Sequence, residues 1–182
     1  MVVWMMLISC RSTEISYQES LSTMDEQYLL RRLSVDLRGV LPTQAEYDEL
    51  STRAALDFVG EFLYDERFGA QVRSMFAEYY RTEVDQFSVS GSDFGVASEV
   101  SFREAIGQEP LRIIQEVVES DVPWSTIVTA DWTMANETSA QVYPIDYEGT
   151  GWKRATYTDG RPAAGVLATN SLWWRYTTTE SN

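Results

Sequence analysis

Apolar residues recur every three or four positions over the first half of the chain, the period of a helix with one face turned to a core. Leu29, Leu30, Leu33 and Leu37 share one such face, and Thr23-Met-Asp-Glu26 ahead of them reads as a capping box. Gly39 stands where a left-handed C-cap belongs, and Pro42 prevents continuation. Thr43-Gln-Ala-Glu46 is a second capping box, restarting a helix through Tyr47 and Leu50. Leu56, Val59, Phe62 and Leu63 form the next stripe. Asp65 then caps a helix carrying Phe68, Val72, Met75, Phe76, Tyr79 and Tyr80. None of these segments alternates as a strand would.

Phe87 to Ser98 is small, polar and glycine-containing, which predicts a loop and a seam. A helix follows from about Val100 to Glu119, with Ile106, Ile113, Ile114, Val117 and Val118 apolar, and Pro110 is expected to start or kink its second part. A short helix is expected around Thr126, and Asn136 caps another through Tyr143. Beyond Pro144 the character changes to Tyr, Trp, Thr and Gly. Trp152 to Tyr157 reads as a strand running into the turn Thr158-Asp-Gly160, and Gly165 to Tyr176 as a last short helix. The fold class is therefore mainly α, a compact multi-helix domain with a small irregular or β insertion near residues 145–161. The expected parts are a lipoprotein signal and polar tether (1–22), an N-terminal helical subdomain (23–86) and a second helical subdomain with an aromatic-rich insertion (99–182), which is expected to be truncated at its C terminus because Thr177-Thr-Thr-Glu-Ser-Asn182 holds no cap.

Composition narrows the classes of function. In 182 residues there are 28 Asp and Glu against 14 Lys and Arg, a net charge of −14, so a phosphate backbone is repelled and no nucleic-acid partner is expected. Hydrophobic content of 44% supports a globular body. The lone cysteine ends the run Leu7-Ile8-Ser9-Cys10, an apolar stretch that gives way to the polar segment Arg11–Ser22. An apolar residue three positions before Cys, with a small one directly before it, resembles a bacterial lipobox. On that reading Cys10 is acylated, and the protein is a periplasmic or surface-exposed lipoprotein of the cell envelope, attached to the membrane by its N terminus. No Lys or Arg precedes Cys10, so the alternative of a buried N-terminal segment carrying a free thiol stays open.

The chain contains no histidine, which excludes a Ser-His-Asp triad and any His-based metal site within it. Carboxylates remain for acid–base work, and Glu78, Glu83 and Asp85, or Glu116, Glu119 and Asp121, lie close in sequence. In so acidic a chain these clusters read as solvated faces. Ser90-Gly-Ser-Asp93 and Asp146-Tyr-Glu148-Gly-Thr150 offer oxygen ligands without the spacing of a calcium loop, so no metal and no cofactor is expected. Lys153, the only lysine, has no Ser-x-x-Lys before it. Arg31, Arg32, Asp36 and Arg38 are expected to form ion pairs between helices. Trp152, Tyr157, Trp173, Trp174 and Tyr176 are the candidate contacts for a glycan or protein partner, the alternative being that they fill a core.

Tyr28-Leu-Leu-Arg-Arg-Leu-Ser-Val-Asp-Leu-Arg-Gly-Val-Leu-Pro-Thr43, with Glu46 after it, resembles the RRLxLDLxGxxPT opening of a secreted domain family abundant in planctomycetes and myxobacteria. Glu109-Pro-Leu-Arg-Ile-Ile, Asp121 to Asn136 and Arg161-Pro-Ala-Ala-Gly-Val-Leu167 resemble later blocks of related uncharacterised domains. Members are often fused to or neighbour c-type cytochrome domains, and they continue past a region like Arg161–Asn182. The resemblance implies an exported, mostly helical protein. This chain has no Cys-x-x-Cys-His, so it cannot itself attach a c-type haem. The expectation is a non-catalytic accessory or binding domain anchored by lipid. The alternative is the N-terminal part of an envelope oxidoreductase or glycan-degrading enzyme whose catalytic or haem segment lies beyond Asn182.

Overall fold

The computed structural model describes residues 25–83 and 87–176. Cys10, the 1–22 tether and Asp85 lie outside the described residues. Among those described, eight α-helices and a small antiparallel sheet make a mainly α, compact domain. No helix among them is long and apolar enough to cross a membrane.

Helix α1 (Glu26–Arg38) is capped within the described residues, and Thr23 of the predicted box lies outside them. Its N-cap is Asp25, whose carboxylate accepts the Gln27 N–H at 3.0 Å. An acid here also meets the positive end of the helix dipole. Gly39 closes the helix with φ +72°, donating its N–H to the Val35 carbonyl. Helix α2 (Gln44–Glu49) carries the predicted capping box: the Glu46 N–H donates to Thr43 Oγ1, and Glu46 accepts the Thr43 N–H in return.

The next apolar stripe corrects the sequence reading. A 3₁₀ turn (Ala55–Phe58) runs into α3 (Val59–Leu63), and it buries Ala55, Phe58 and Phe62 while Leu56 and Leu63 stay exposed. The tighter 3₁₀ winding shifts which residues share a face, so a 3.6-residue period selected the wrong leucines. Leu30, Ala55, Phe58 and Phe62 form one apolar cluster. Each large side chain buried there contributes roughly 1.5–3 kcal/mol.

Helix α4 (Glu66–Tyr80), capped by Asp65, packs on α1 and on the longest helix, α5 (Glu99–Glu119). Pro110 neither ends nor restarts α5; one helix runs through it. A missing N–H in a helix interior costs about 3 kcal/mol or more. Here Phe102, Ile106, Leu111, Ile113 and Ile114 are fully buried on both sides of the proline, and their burial outweighs that cost. The predicted loop before α5 contains a 3₁₀ turn (Gly91–Phe94).

The sheet reaches beyond the expected 145–161 insertion. After α6 (Thr126–Thr129), β1 (Thr133–Ala135) pairs antiparallel with β3 (Lys153–Tyr157), and β2 (Ile145–Asp146) pairs with its other edge, giving the order β1-β3-β2. Helix α7 (Glu137–Val142), capped by Asn136 as predicted, connects β1 to β2. The last segment is split where one helix was expected: a 3₁₀ turn (Gly165–Ala168) and α8 (Asn170–Arg175) meet at extended Thr169. Gly165 has φ +51°, and a Cβ there would sit 1.9 Å from the Ile127 carbonyl oxygen, so no larger residue fits.

Arg38 ties the N-terminal elements together. Its guanidinium donates to Glu46 Oε1 at 2.8 Å and Oε2 at 3.2 Å, and to Ser34 Oγ at 2.7 Å, while lying 3.7 Å above the Phe62 ring. Arg38 Nη1 also lies 3.6 Å from Asp65, the N-cap of α4, so within the Arg31–Arg38 group Arg38 is the residue whose ion pairs join helices; Arg32 and Asp36 pair within α1, exposed. Burial works to raise the Glu46 pKa, but hydrogen bonds from Arg38 and Thr43 outweigh it and hold the carboxyl below its ordinary value. We expect Arg38→Ala to cost about 3–5 kcal/mol in urea unfolding, because it strands a half-buried carboxylate. Arg38→Lys should recover only part of that, since an ammonium cannot make the forked contact.

Candidate functional site

The buried face of α5 repeats at Phe102, Ile106, Glu109 and Ile113. Three of these positions are apolar and the fourth is a carboxylic acid with no exposed surface. Helical spacing forces Glu109 into the interior, since i, i+4, i+7 and i+11 lie on one side. Placing a carboxylate there without partners would cost several kcal/mol.

The sheet and its flanks supply those partners. Thr133 Oγ1, from β1, donates to Glu109 Oε1 at 2.6 Å, and the Tyr157 hydroxyl, from β3, donates to the same oxygen. Tyr143, at the end of α7, is also buried; its ring packs on Tyr157 with centroids 6.1 Å apart. The Tyr143 hydroxyl and Glu109 Oε2 are both sealed from solvent without a hydrogen-bond partner of ordinary geometry. Arg161 lies over the outer face of the Tyr157 ring, 3.7 Å from its centroid, and is held by Asp159, the Ala168 carbonyl and Asn170.

These surroundings decide the charge. Burial pushes the Glu109 pKa up to about 7, against the opposing effects of the Thr133 and Tyr157 hydroxyls and the Arg161 charge. Burial, and then the proximity of Glu109, raise both tyrosines above the ordinary phenol range. A protonated Glu109 keeps Oε1 as acceptor for two hydroxyls and offers a proton toward the unpartnered Tyr143 oxygen. The neutral acid therefore suits the site better than the anion.

Chemically the cluster can hold and release one proton. Tyr157 and Arg161 line a cavity of about 120 Å³ with Trp132, which has room for a few waters and none for a sugar ring. The carboxyl itself is enclosed by protein. Its geometry is that of a polar joint between α5 and the sheet.

The five candidate contact residues are placed in different surroundings. Tyr157 is half-buried on Glu109, and Trp174 packs among Phe94, Phe102 and Tyr143. Trp152 is half-buried with the Arg112 guanidinium 5.2 Å from its ring centroid. Trp173 and Tyr176 are exposed, at 57% and 49%. Tyr176 donates its hydroxyl to the Tyr80 carbonyl at 2.7 Å, tying the end of α8 to the end of α4. Near that junction lie residues that the helical stripe assigned to a core but that face solvent, Met75 and Tyr79 on α4, together with Trp124, whose ring meets Phe76 at 5.7 Å.

The acidic clusters separate. Glu116 pairs with Arg154 at 2.8 Å, Glu119 accepts from Gln115, and Glu83 accepts from Gln108. Asp93 accepts the Ser90 N–H at 2.9 Å, closing a 3₁₀ turn, and Lys153 donates to the Glu148 carbonyl at 2.8 Å. Among the described residues no three acidic or thiol side chains gather as a metal site. Glu109 escaped the sequence reading; its only signal there was one acid within an apolar stripe.

A family model described as PSD4, protein of unknown function (DUF1592), matches residues 28–145. The match begins at the Tyr28 block and includes Glu109, Thr133 and Tyr143, while Tyr157 and the exposed residues of α8 follow it. No curated protein and no solved structure matches the chain significantly.

The raised pKa of Glu109 makes folding take up a proton. Its stabilisation is therefore complete below about pH 4.5, the unfolded value, and is lost as pH rises to about 7, the folded value. The swing is roughly 3 kcal/mol. Glu109→Gln keeps an acceptor for Thr133 and Tyr157 and adds a neutral donor toward Tyr143. Urea titrations at pH 5 and pH 8 should show the wild type losing stability between them, and Glu109→Gln losing much less. Glu109→Leu, which orphans two hydroxyls, should be less stable than Glu109→Gln at both.

Proposed function

The chain belongs to the DUF1592 family of unknown function, and from that premise we propose that it is an accessory binding domain of the cell envelope, held by a lipid on Cys10. Its partner is a protein that docks on the exposed aromatic side chains of α4, of the segment before α6 and of the end of α8, where Tyr176 is tied to Tyr80 and Trp124 meets Phe76. The observation that carries this reading is the exposure of Tyr79 at 79%, with Trp124, Trp173 and Tyr176 each about half exposed or more. Aromatic residues are enriched at the energetic centres of protein interfaces.

The composition of that surface favours protein over glycan. Met75 on α4, Val128 on α6 and Leu167 on the 3₁₀ turn before α8 are exposed as well, so these elements present aliphatic as well as aromatic side chains to solvent. The buried polar cluster around Glu109 supports an accessory role, since its one strongly shifted carboxyl is engaged by Thr133 and Tyr157 inside the domain. The lipobox-like run before Cys10, and the resemblance of the Tyr28–Thr43 block to exported domains neighbouring c-type cytochromes, support the envelope location.

Two measurements test the two parts. Radiolabelled palmitate should enter the full-length protein and be absent from Cys10→Ala; equal labelling of both, or none, contradicts the anchor. A photo-crosslinking residue at position 79 or 173, expressed in the source cells, should give discrete protein adducts, while the same residue at position 44 or 48 on α2 gives none. Adducts of equal yield at all four positions would remove the docking surface. Saturable quenching of Trp fluorescence by polysaccharides, abolished in Trp173→Ala, would replace the protein partner with a glycan.

A further inference from the structure

Arg73 on α4 and Arg112 on α5 are half-buried and point at the same atom. Both donate from Nη1 to Gln115 Oε1, Arg112 at 3.2 Å. Among the described residues neither has a carboxylate within ion-pair distance, although nine other ion pairs form in this acidic chain. Glu119, the carboxylate nearest in the network, is engaged by the Gln115 amide at 2.9 Å. Two cations thus share one neutral oxygen.

That arrangement is costly as it stands. Burial lowers the pKa of each arginine, and for Arg112 the Arg73 charge lowers it further. Each guanidinium carries five N–H donors, of which one nitrogen is used here. Arg112 Nε is sealed without a partner, whereas Arg73 Nε and Nη2 and Arg112 Nη2 have no partner among the described residues and are not sealed from solvent. The Trp152 ring sits behind Arg112, orienting its plane. Two guanidiniums held side by side on Gln115, with nitrogens left over beyond that contact, suit two-point recognition of an oxyanion.

We propose that Arg73 and Arg112 form an oxyanion-binding site on the α4–α5 face, taking a carboxylate, sulfate or phosphate group. Gln115 is its positioning residue and Trp152 its wall. The net charge of −14 keeps polyanions away by long-range repulsion, so the site selects a single anionic group on a small molecule or side chain.

The test uses the intact protein with sodium sulfate, inorganic phosphate and sodium glucuronate, each at constant ionic strength balanced with chloride. At least one should raise Tm along a saturating curve. The midpoint should move at least tenfold higher in Arg73→Gln and in Arg112→Gln, and stay within twofold in Arg103→Gln, which removes the same charge elsewhere on α5. Preference for sulfate and phosphate identifies a tetrahedral anion, and preference for glucuronate a carboxylate. Where a variant unfolds, the unmodified protein gives the answer by NMR: the assigned Nε–Hε signal of Arg73 should shift with the same saturation curve while that of Arg103 does not. A rise in Tm that is linear with all three salts, or saturation retained in both site variants, overturns the site.

Discussion

The fold is organised around a carboxylic acid that cannot reach water. Glu109 sits at the midpoint of the longest helix with no exposed surface, and three elements of the sheet region are placed around it. Thr133 brings β1 to one oxygen, Tyr157 brings β3 to the same oxygen, and Tyr143 brings the end of α7 alongside. An apolar residue would pack there without specifying which strand lies where. A buried acid is satisfied by one arrangement of hydroxyls, so it fixes the register of a three-residue strand that has little else to fix it.

The N-terminal elements use a different device for the same end. Arg38 joins α1 to α2 through Glu46 and covers Phe62, so a charge pair closes one side of a small apolar cluster. Polar joints at both ends of the domain leave the middle of α4 as a surface of mixed character. One flank presents Met75 and Tyr79 to solvent, and the other presents Arg73 to Arg112. The proposed docking surface and the proposed anion site therefore both involve α4, whereas the buried polar contacts around Glu109 join α5 to the sheet.

Helix positions and caps were legible because they follow from neighbours in sequence. Thr43 with Glu46, Asp65, Gly39 and Asn136 each act within three or four residues, and each stands where the sequence predicts. What was not legible depends on distant contacts or on departures from the 3.6-residue period. Thr133–Ala135 is too short to alternate, and it becomes a strand only by pairing with residues twenty positions later. The 3₁₀ turn at Ala55–Phe58 exchanged Leu56 for Phe58 in the core. Of the five aromatic candidates, Trp173 and Tyr176 are exposed, whereas Trp174 on α8 and Tyr157 on β3 face inward, a distinction set by how α8 and β3 pack on α5 and invisible to spacing. Neither Glu109 nor the Arg73–Arg112 pair could be singled out before α4, α5 and the sheet were brought together.

The account stands on Glu109 being a neutral donor and acceptor inside the folded domain near pH 6. The most direct measurement is the side-chain carboxyl ¹³C shift of Glu109, followed by NMR across the pH range in which the domain stays folded. A midpoint near 7, the value to which burial pushes it, is the predicted result. A midpoint near 4.5, the ordinary value for a glutamate, would show that the carboxyl is solvated or paired with a cation, and would contradict the polar joint on which the sheet is hung.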